Sequence, residues 1–120
     1  MANFVKKSRG GEHFVKDFGG GSCSARIVLP GPDNARVKVT RFMPKAGFEL
    51  EDIVYTCDET VHLVSGSVAL TVSENETLLL QAGDVFFVPA GISYRISVTA
   101  DSEAICVFSQ GEDGAMPDNG

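Results

Sequence analysis

Two glycine-led stretches, residues 47–66 and residues 83–98, constrain the fold of this chain most strongly. Each contains apolar or alternating runs separated by turn-forming residues, among them the triplet Pro89, Ala90 and Gly91. Short strands spaced about 8–12 residues apart, without a helical period, are typical of an all-β sandwich or barrel. The sequence therefore predicts an all-β fold.

The same criteria predict strands along most of the chain. They cover residues 12–18, 26–29, 36–43, 53–64, 67–73, 77–80, 85–88, 93–98 and 103–109. We expect an N-terminal extension at residues 1–22, which could include a swapped strand, one domain at residues 23–110, and a flexible acidic tail at residues 111–120.

Composition narrows the class of protein. A chain of 120 residues with 43% hydrophobic residues is large enough for one core, and its net charge of −6 argues against nucleic acid and anionic membranes as partners. We expect neither a transmembrane span nor a secretory signal. The three cysteines, Cys23, Cys57 and Cys106, lack CxxC spacing, so we predict a reducing, cytoplasmic location.

The glycine spacings resemble the two signature motifs of the cupin superfamily, G(X)5HXH(X)3–4E(X)6G and G(X)5PXG(X)2H(X)3N. Both glycine frames, Glu59 and the Pro-x-Gly turn are in register, over about residues 36–109. The three metal-binding histidines of the motifs are replaced by Ile53, Tyr55 and Tyr94, and the final Asn by Val98. The resemblance implies a double-stranded β-helix, or jelly-roll, cupin barrel, commonly a homodimer.

Residues 55–66, YTCDETVHLVSG, are similar to the ethanolamine-utilisation EutQ type of cupin, in which a WT…YDE-x-x-YV-x-x-G segment replaces the HxH motif. That family also lacks the metal histidines, and an acetate kinase activity has been assigned to it. We do not carry that activity over, because this sequence has no phosphate-binding glycine loop or lysine.

Strand alternation brings the candidate site together. A strand at residues 53–64 places one set of side chains on the face that the motif register turns into the barrel, namely Ile53, Tyr55, Cys57, Glu59 and Val61. Tyr94 and Ile96 share a face of a later strand by the same rule. His62 is out of phase with Glu59 and is expected to face away from the site.

These residues suit proton chemistry better than metal chemistry. A carboxyl group in an apolar barrel is desolvated, which raises its pKa and suits Glu59 to act as a general acid and base. Tyr55 and Tyr94 can donate hydrogen bonds to a carbonyl or oxyanion. Phenols are poor ligands for divalent ions at neutral pH, so we predict no metal and no other cofactor.

Six further residues are predicted to contact a small-molecule ligand. They are Arg41, Cys57, Ile53, Val61, Phe87 and Ile96. The strand at residues 36–43 has mixed parity: if Val37 and Val39 face the core, Arg41 points inward as a cation for a carboxylate or phosphate, and otherwise it lies on the surface.

The sequence thus favours a metal-independent lyase or isomerase that dehydrates, isomerises or cyclises a small oxygenated molecule, with Glu59, Tyr55 and Tyr94 as catalytic residues. Two alternatives stay open. One is a EutQ-like cupin that binds or senses a small molecule without turnover, and the other is a metalloenzyme with atypical ligands. The predicted partners are a small molecule and a second copy of the chain.

Overall fold

Antiparallel β-strands make up all the regular structure of the described residues. The computed structural model describes residues 14–18, 23–29, 37–73 and 76–110, with side chains described from residue 37 onward except at residues 52 and 73. The strands are β1 Phe14–Phe18, β2 Cys23–Leu29, β3 Val37–Pro44, β4 Glu49–Ile53, β5 Asp58–Ser73, β6 Glu76–Gln81, β7 Val85–Val88 and β8 Tyr94–Ser109. The predicted all-β class is confirmed.

The two long strands, β5 and β8, each run through both halves of one continuous sheet. They pair with each other from Asp58 opposite Ser109 to Thr71 opposite Arg95. The first half has the order β1-β2-β3-β8-β5, with β7 on the other edge of β5, and the second half contains β4, β8, β5 and β6. The sheet can fold over itself because both strands continue from one half into the other.

The change of half occurs in β5 at Gly66. Leu63 and Val68 are both buried although they are an odd number of positions apart, and the pairing of β5 with β8 shifts register between them. Gly66 has a φ of 94°, which side chains rarely allow. An ideal Cβ at Gly66 would lie 2.5 Å from the carbonyl oxygen of Asp101 and 2.6 Å from the Cα of Ser102. Glycine is therefore required here both by its backbone angle and by close packing.

The core consists of side chains that alternate inward from the two halves. On β8 these are the even-numbered residues Tyr94, Ile96 and Val98, and then Ala104, Cys106 and Phe108. They pack with Leu63 and Leu70, which are 2% and 1% exposed. The burial of this apolar surface is the main force that holds the halves together, at about 25 cal/mol per Å² removed from water.

Several of the predicted element boundaries were wrong. The strands expected at residues 53–64 and 67–73 are not separated by a turn, because β5 runs without a break from Asp58 to Ser73. The strand expected at residues 53–64 is interrupted, because β4 ends at Ile53 and β5 begins at Asp58. Residues 54–57 instead approach the turn after β7, where the Gly91 N–H donates to the Tyr55 carbonyl oxygen at 2.9 Å. The strands expected at residues 93–98 and 103–109 are one strand, β8, and β2 begins three residues earlier than expected.

The ends of the chain remain partly outside this description. β1 pairs antiparallel with β2 of the same chain, from Phe14 opposite Ile27 to Phe18 opposite Cys23. Residues 1–13, 19–22 and 111–120 lie outside the described residues, so the predicted division into extension, domain and tail stays a prediction. Within the described ranges, no helix has the length and apolar character needed to cross a membrane.

Candidate functional site

Glu59 is a buried carboxyl group on the inward face of β5, with only 5% of its surface exposed. Its neighbours across the sheet are apolar: Phe108 lies opposite on β8 and Val88 opposite on β7. Paired residues of antiparallel strands project to the same side, so these side chains surround the carboxyl group. A buried charge without a partner is unfavourable, and Glu59 must therefore be neutral or hydrogen-bonded.

Tyr94 supplies that hydrogen bond from the other half of the sheet. Its hydroxyl donates to Oε1 of Glu59, and both side chains are buried. The Cys106 thiol also hydrogen-bonds the carboxyl group, from the strand that pairs with β5. The bond between Tyr94 and Glu59 joins residues 35 positions apart and spans the interior between the two halves. We call Glu59, Tyr94, Tyr55, Cys106 and Phe108 the carboxyl–phenol site.

Burial dominates the acid–base properties of this pair. Desolvation raises the pKa of Glu59 above its ordinary value, and the hydrogen bonds from Tyr94 and Cys106 oppose this rise only in part. Desolvation also raises the pKa of Tyr94, and the negative charge of Glu59 raises it further. Tyr94 is therefore a neutral hydrogen-bond donor at physiological pH, beside a carboxyl group that holds its proton more tightly than usual.

Tyr55 is the member of the site nearest to solvent, with 38% of its surface exposed. It lies in the connection between β4 and β5, and its ring packs edge-on against Phe108 with 4.8 Å between centroids. The ring centroids of Tyr55 and Tyr94 are 6.4 Å apart. The two phenols of the chain thus lie together, one buried and one accessible, with Phe108 beside them.

Lys38 approaches the same site from β3, and the sequence interpretation missed it. Its Nζ lies 5.1 Å from the centroid of the Phe108 ring, which pairs with Lys38 across β3 and β8. Lys38, Thr40 and Phe42 lie on the same face of β3, because alternate residues of a strand share a face. Phe42 packs against the core, so this face points inward. The mixed parity of residues 36–43 concealed this, because a lysine occupies an inward position and valines occupy outward ones.

The predicted aliphatic contacts are mostly close to the site. Ile53 lies opposite Tyr94 across β4 and β8 and packs against the core. Cys57 and Val61 are buried before and after Glu59, and Ile96 is buried two residues after Tyr94. Each is placed to form apolar wall, and whether any contacts a ligand stays a prediction.

Two predicted ligand contacts lie on the opposite face of the sheet. Arg41 pairs with Ile105, and its Nε lies 3.5 Å from Oε2 of Glu103. Phe87 is 58% exposed and pairs with Thr60, whereas its neighbour Phe86 pairs with Val61 and packs against the core. The cause in both cases is strand parity, which places alternate residues on opposite faces. His62 is exposed and faces outward, as predicted.

The residues of the site do not fit the divalent ion that the cupin motifs hold. The histidine positions contain Ile53, Tyr55 and Tyr94, and the Tyr94 hydroxyl keeps its proton and donates a hydrogen bond to Glu59. A protonated phenol is a poor ligand for such an ion. Among the described side chains, no group of three or more His, Cys, Asp or Glu residues is arranged to hold a metal.

Comparisons with known proteins point to one family. A sequence model described as the EutQ-like cupin domain matches residues 50–112. No curated protein matches the chain.

Solved cupin structures share the fold. KdgF from Halomonas sp. aligns with a TM-score of 0.73 and 21% identity, over 90% of this chain and 97% of its own. Ectoine synthase from P. lautus aligns with a TM-score of 0.68 and 19% identity, over 78% and 67% of the two chains. A protein described as ethanolamine utilization protein Q from Salmonella typhimurium aligns with a TM-score of 0.64 and 19% identity, over 79% and 77%. The predicted jelly-roll fold is confirmed.

Proposed function

The chain belongs to the EutQ-like cupin family, and from that premise we propose that it is a metal-independent lyase or isomerase acting on a small oxygenated molecule. One observation carries the proposal: a buried carboxyl group with a raised pKa is hydrogen-bonded to a neutral phenol, beside a second phenol that solvent reaches. This arrangement supplies an acid–base group and two hydrogen-bond donors in an apolar setting.

The proposed reaction begins with Glu59 as a carboxylate. It removes a proton from a carbon atom next to a carbonyl group, and the electrons of the broken C–H bond pass to the carbonyl oxygen. Tyr55 and Tyr94 donate hydrogen bonds to that oxygen as its negative charge develops. The electrons then return from the oxygen to re-form the carbonyl group. In an isomerisation the protonated Glu59 gives its proton to the far carbon of an adjacent C=C bond, which shifts along the chain. In a dehydration it gives the proton to a hydroxyl group on the next carbon, which leaves as water as its C–O bond breaks and a C=C bond forms.

The raised pKa of Glu59 supports its role as a base and its role as an acid. A base is stronger when its conjugate acid holds the proton more tightly, and an acid near neutral pH must keep its proton long enough to deliver it. An ordinary exposed glutamate meets neither requirement well. Ectoine synthase, which shares the fold, is by its name a synthase; at 19% identity this supports an enzyme in general and not any particular substrate.

Binding without turnover is the second candidate, and one observation favours it. Tyr94 and Glu59 are hydrogen-bonded directly to each other, so the pair can serve as a stable polar wall. Under this alternative, substitution of Glu59 changes the affinity for a ligand but removes no reaction.

Hydrogen–deuterium exchange separates the two candidates without knowledge of the natural substrate. Hydroxyacetone, dihydroxyacetone and 4-hydroxy-2-butanone would be incubated with the protein in D₂O, and loss of the C–H signals next to the carbonyl group followed by proton NMR. We expect exchange above the buffer rate with the wild type and none with Glu59→Gln, whose amide oxygen can still accept from Tyr94.

The matched control is Glu103→Gln, because Glu103 pairs with Arg41 on the opposite face of the sheet. It should exchange at the wild-type rate. Exchange that survives in Glu59→Gln, or that is absent from the wild type with all three ketones, would contradict the catalytic proposal and leave the binding candidate.

A further inference from the structure

The carboxyl–phenol site is closed to solvent except at Tyr55. Glu59, Tyr94, Cys106 and Phe108 are buried, whereas Tyr55 is 38% exposed. The centroid of the Tyr55 ring lies 4.8 Å from that of Phe108 and 6.4 Å from that of Tyr94. The Tyr55 ring therefore stands between solvent and the buried members of the site.

Tyr55 belongs to a short segment outside the strands, residues 54–57, which we call the Tyr55 connection. Ile53, before it, pairs with Tyr94 at the start of β8, and Asp58, after it, pairs with Ser109 at the end of β8. The connection thus crosses from one half of the sheet to the other. Its first three residues are exposed, and both of its ends are fixed to the same long strand.

Two hydrogen bonds join this segment to the turn that follows β7. The Gly91 N–H donates to the Tyr55 carbonyl oxygen at 2.9 Å, and the Ala90 N–H donates to Oδ1 of Asp58 at 2.9 Å. The bond to Asp58 fixes the turn against the start of β5, which places the Gly91 N–H next to the Tyr55 carbonyl. Hydrogen bonds near the surface contribute little net stability and can open without unfolding of the sheet.

We propose that the Tyr55 connection is a gate, which moves away from the turn at residues 89–92 to admit a small molecule to Glu59 and Tyr94, and which Asp58 holds closed. The gate rests on the proposed function only for the claim that a ligand enters the site. The opening itself is a property of the fold and is measured without any ligand.

The connection is the part of the site that opens at the lowest cost. Glu59 and Tyr94 lie on β5 and β8, which pair along their length, so exposing them by separation of these strands would expose the core as well. Movement of residues 54–57 breaks the Gly91 bond and the contact of Tyr55 with Phe108. Closure restores the second phenol to the site and excludes water from it.

Cys106 is a built-in reporter of this opening, because its thiol is buried beside Glu59. Cys23 and Cys57 would be replaced by serine, and labelling of Cys106 by methyl methanethiosulfonate, a reagent as small as a substrate, followed by intact-protein mass spectrometry. We expect a rate that changes little at urea concentrations below the unfolding transition, as for a local opening. In the same background Asp58→Ala should raise the rate about tenfold.

Two further variants in this background separate the gate from general loss of stability. Asp58→Asn keeps an oxygen that can accept from Ala90 and should label near the background rate. Asp101→Ala is the matched control, because Oδ1 of Asp101 also accepts from a backbone N–H, that of Ala46 at 2.9 Å. That bond lies away from the gate, so Asp101→Ala should not accelerate labelling.

Amide hydrogen exchange followed by NMR gives a second measurement, with all three cysteines in place. The Gly91 N–H should exchange through the local opening, and more slowly exchanging amides such as that of Leu63, which donates to the Asp84 carbonyl oxygen, through larger unfolding. Asp58→Ala should speed the exchange of Gly91 by the same factor as the labelling of Cys106, although the acceptor of Gly91 is unchanged.

Three results would overturn the gate. They are labelling of Cys106 only in step with global unfolding, equal rates in Asp58→Ala and Asp101→Ala, and exchange of Gly91 that is unaffected by Asp58→Ala. The gate and the proposed function fail separately. Absence of carbon–hydrogen exchange in the ketones with the opening intact would reject catalysis alone, and catalysis without the opening would reject the gate alone.

Discussion

At the scale of single residues, the chemistry depends on where burial places one carboxyl group. The glutamate was predicted from its motif position, and the desolvation of Glu59 followed from its place on a barrel-facing strand. Its hydrogen bond to Tyr94 joins distant parts of the chain and could be anticipated only from the register of the resembling family. The Cys106 contact was not predicted, because nothing in local sequence relates it to Glu59.

The position of Lys38 shows why the inward face of β3 could not be assigned from the sequence of that strand alone. Sequence reasoning considered Arg41 as the inward charge, since two valines share its face. The structure places Lys38 inward, because pairing with β8 matches Lys38 to the buried Phe108 and Arg41 to the outer Ile105. Hydrophobicity along β3 could not reveal this, since an aromatic partner covers the lysine stem while its charge remains near solvent.

Glu59 should make stability depend on pH in a defined direction. Its pKa is higher in the folded protein than its ordinary value of 4.5, so the folded state binds the proton more tightly than the unfolded state. The resulting stabilisation is fully present below pH 4.5 and is lost as the pH rises through the folded-state pKa.

The comparison with Glu59→Gln isolates this contribution from those of other carboxylates. Urea unfolding of both proteins across this range of pH should show the free energy of unfolding of the wild type falling relative to that of Glu59→Gln as pH rises. A difference that stays constant, or that grows with pH, would show that burial does not control this carboxyl group.

At the scale of elements, the long strands β5 and β8 determine the architecture, and the sequence revealed them only in part. The hairpin of β5 and β6 and the strand Val85–Val88 were predicted from alternation and turns. The continuity of β8 was not, because the sequence predicted separate strands at residues 93–98 and 103–109, whereas the residues between them also lie within β8. The break between β4 and β5 was also missed, since an apolar run conceals a strand end.

Gly66 should be far less replaceable than the other positive-φ glycines. Its φ of 94° is matched by the 95° of Gly83, but among the glycines that the structure describes only Gly66 has backbone atoms where a Cβ would lie. We expect Gly66→Ala to reduce the free energy of unfolding by about 3 kcal/mol or more, from strain plus a forced backbone shift. Gly83→Ala should cost about 1 kcal/mol, from strain alone.

Urea unfolding of the two alanine variants measures this difference directly. Both should keep the slope of the wild type if they unfold in two states. Equal losses of stability in the two variants would mean that the approach of Asp101 and Ser102 to Gly66 does not constrain β5.

At the scale of the whole molecule, the candidate site lies where the two halves of the sheet face each other. Glu59 belongs to the half that contains β3 and β7, and Tyr94 to the half that contains β4 and β6. Changes that separate the halves therefore weaken the site as well as the fold. The family motifs predicted this architecture because glycine and turn positions fix the strand order even where the metal ligands have been replaced.

Two large apolar side chains of β7 are exposed on the outer face of the sheet. Val85 and Phe87 are 63% and 58% exposed on β7, next to Thr60 and His62 of β5. We propose that this face joins two copies of the chain in a homodimer, since exposed apolar clusters on a sheet commonly mark protein interfaces.

Charge substitution tests the dimer. Sedimentation equilibrium should give twice the 12.7 kDa monomer mass for the wild type and the monomer mass for the double variant Val85→Lys/Phe87→Lys. Leu79→Lys is the matched control, because Leu79 is an exposed apolar residue on β6, away from β7, and it should remain dimeric. A monomeric wild type, or a double variant that stays dimeric, would exclude this face.

Folding buries the Glu59 carboxyl group against the Tyr94 phenol, and this burial raises its pKa. Carbon-13 NMR of the side-chain carboxyl groups tests it most directly, with the Glu59 signal identified by its absence from Glu59→Gln. We predict a titration midpoint above the ordinary value of 4.5, because desolvation outweighs the hydrogen bonds from Tyr94 and Cys106. A midpoint at or below 4.5 would show that burial does not raise the pKa of this carboxyl group.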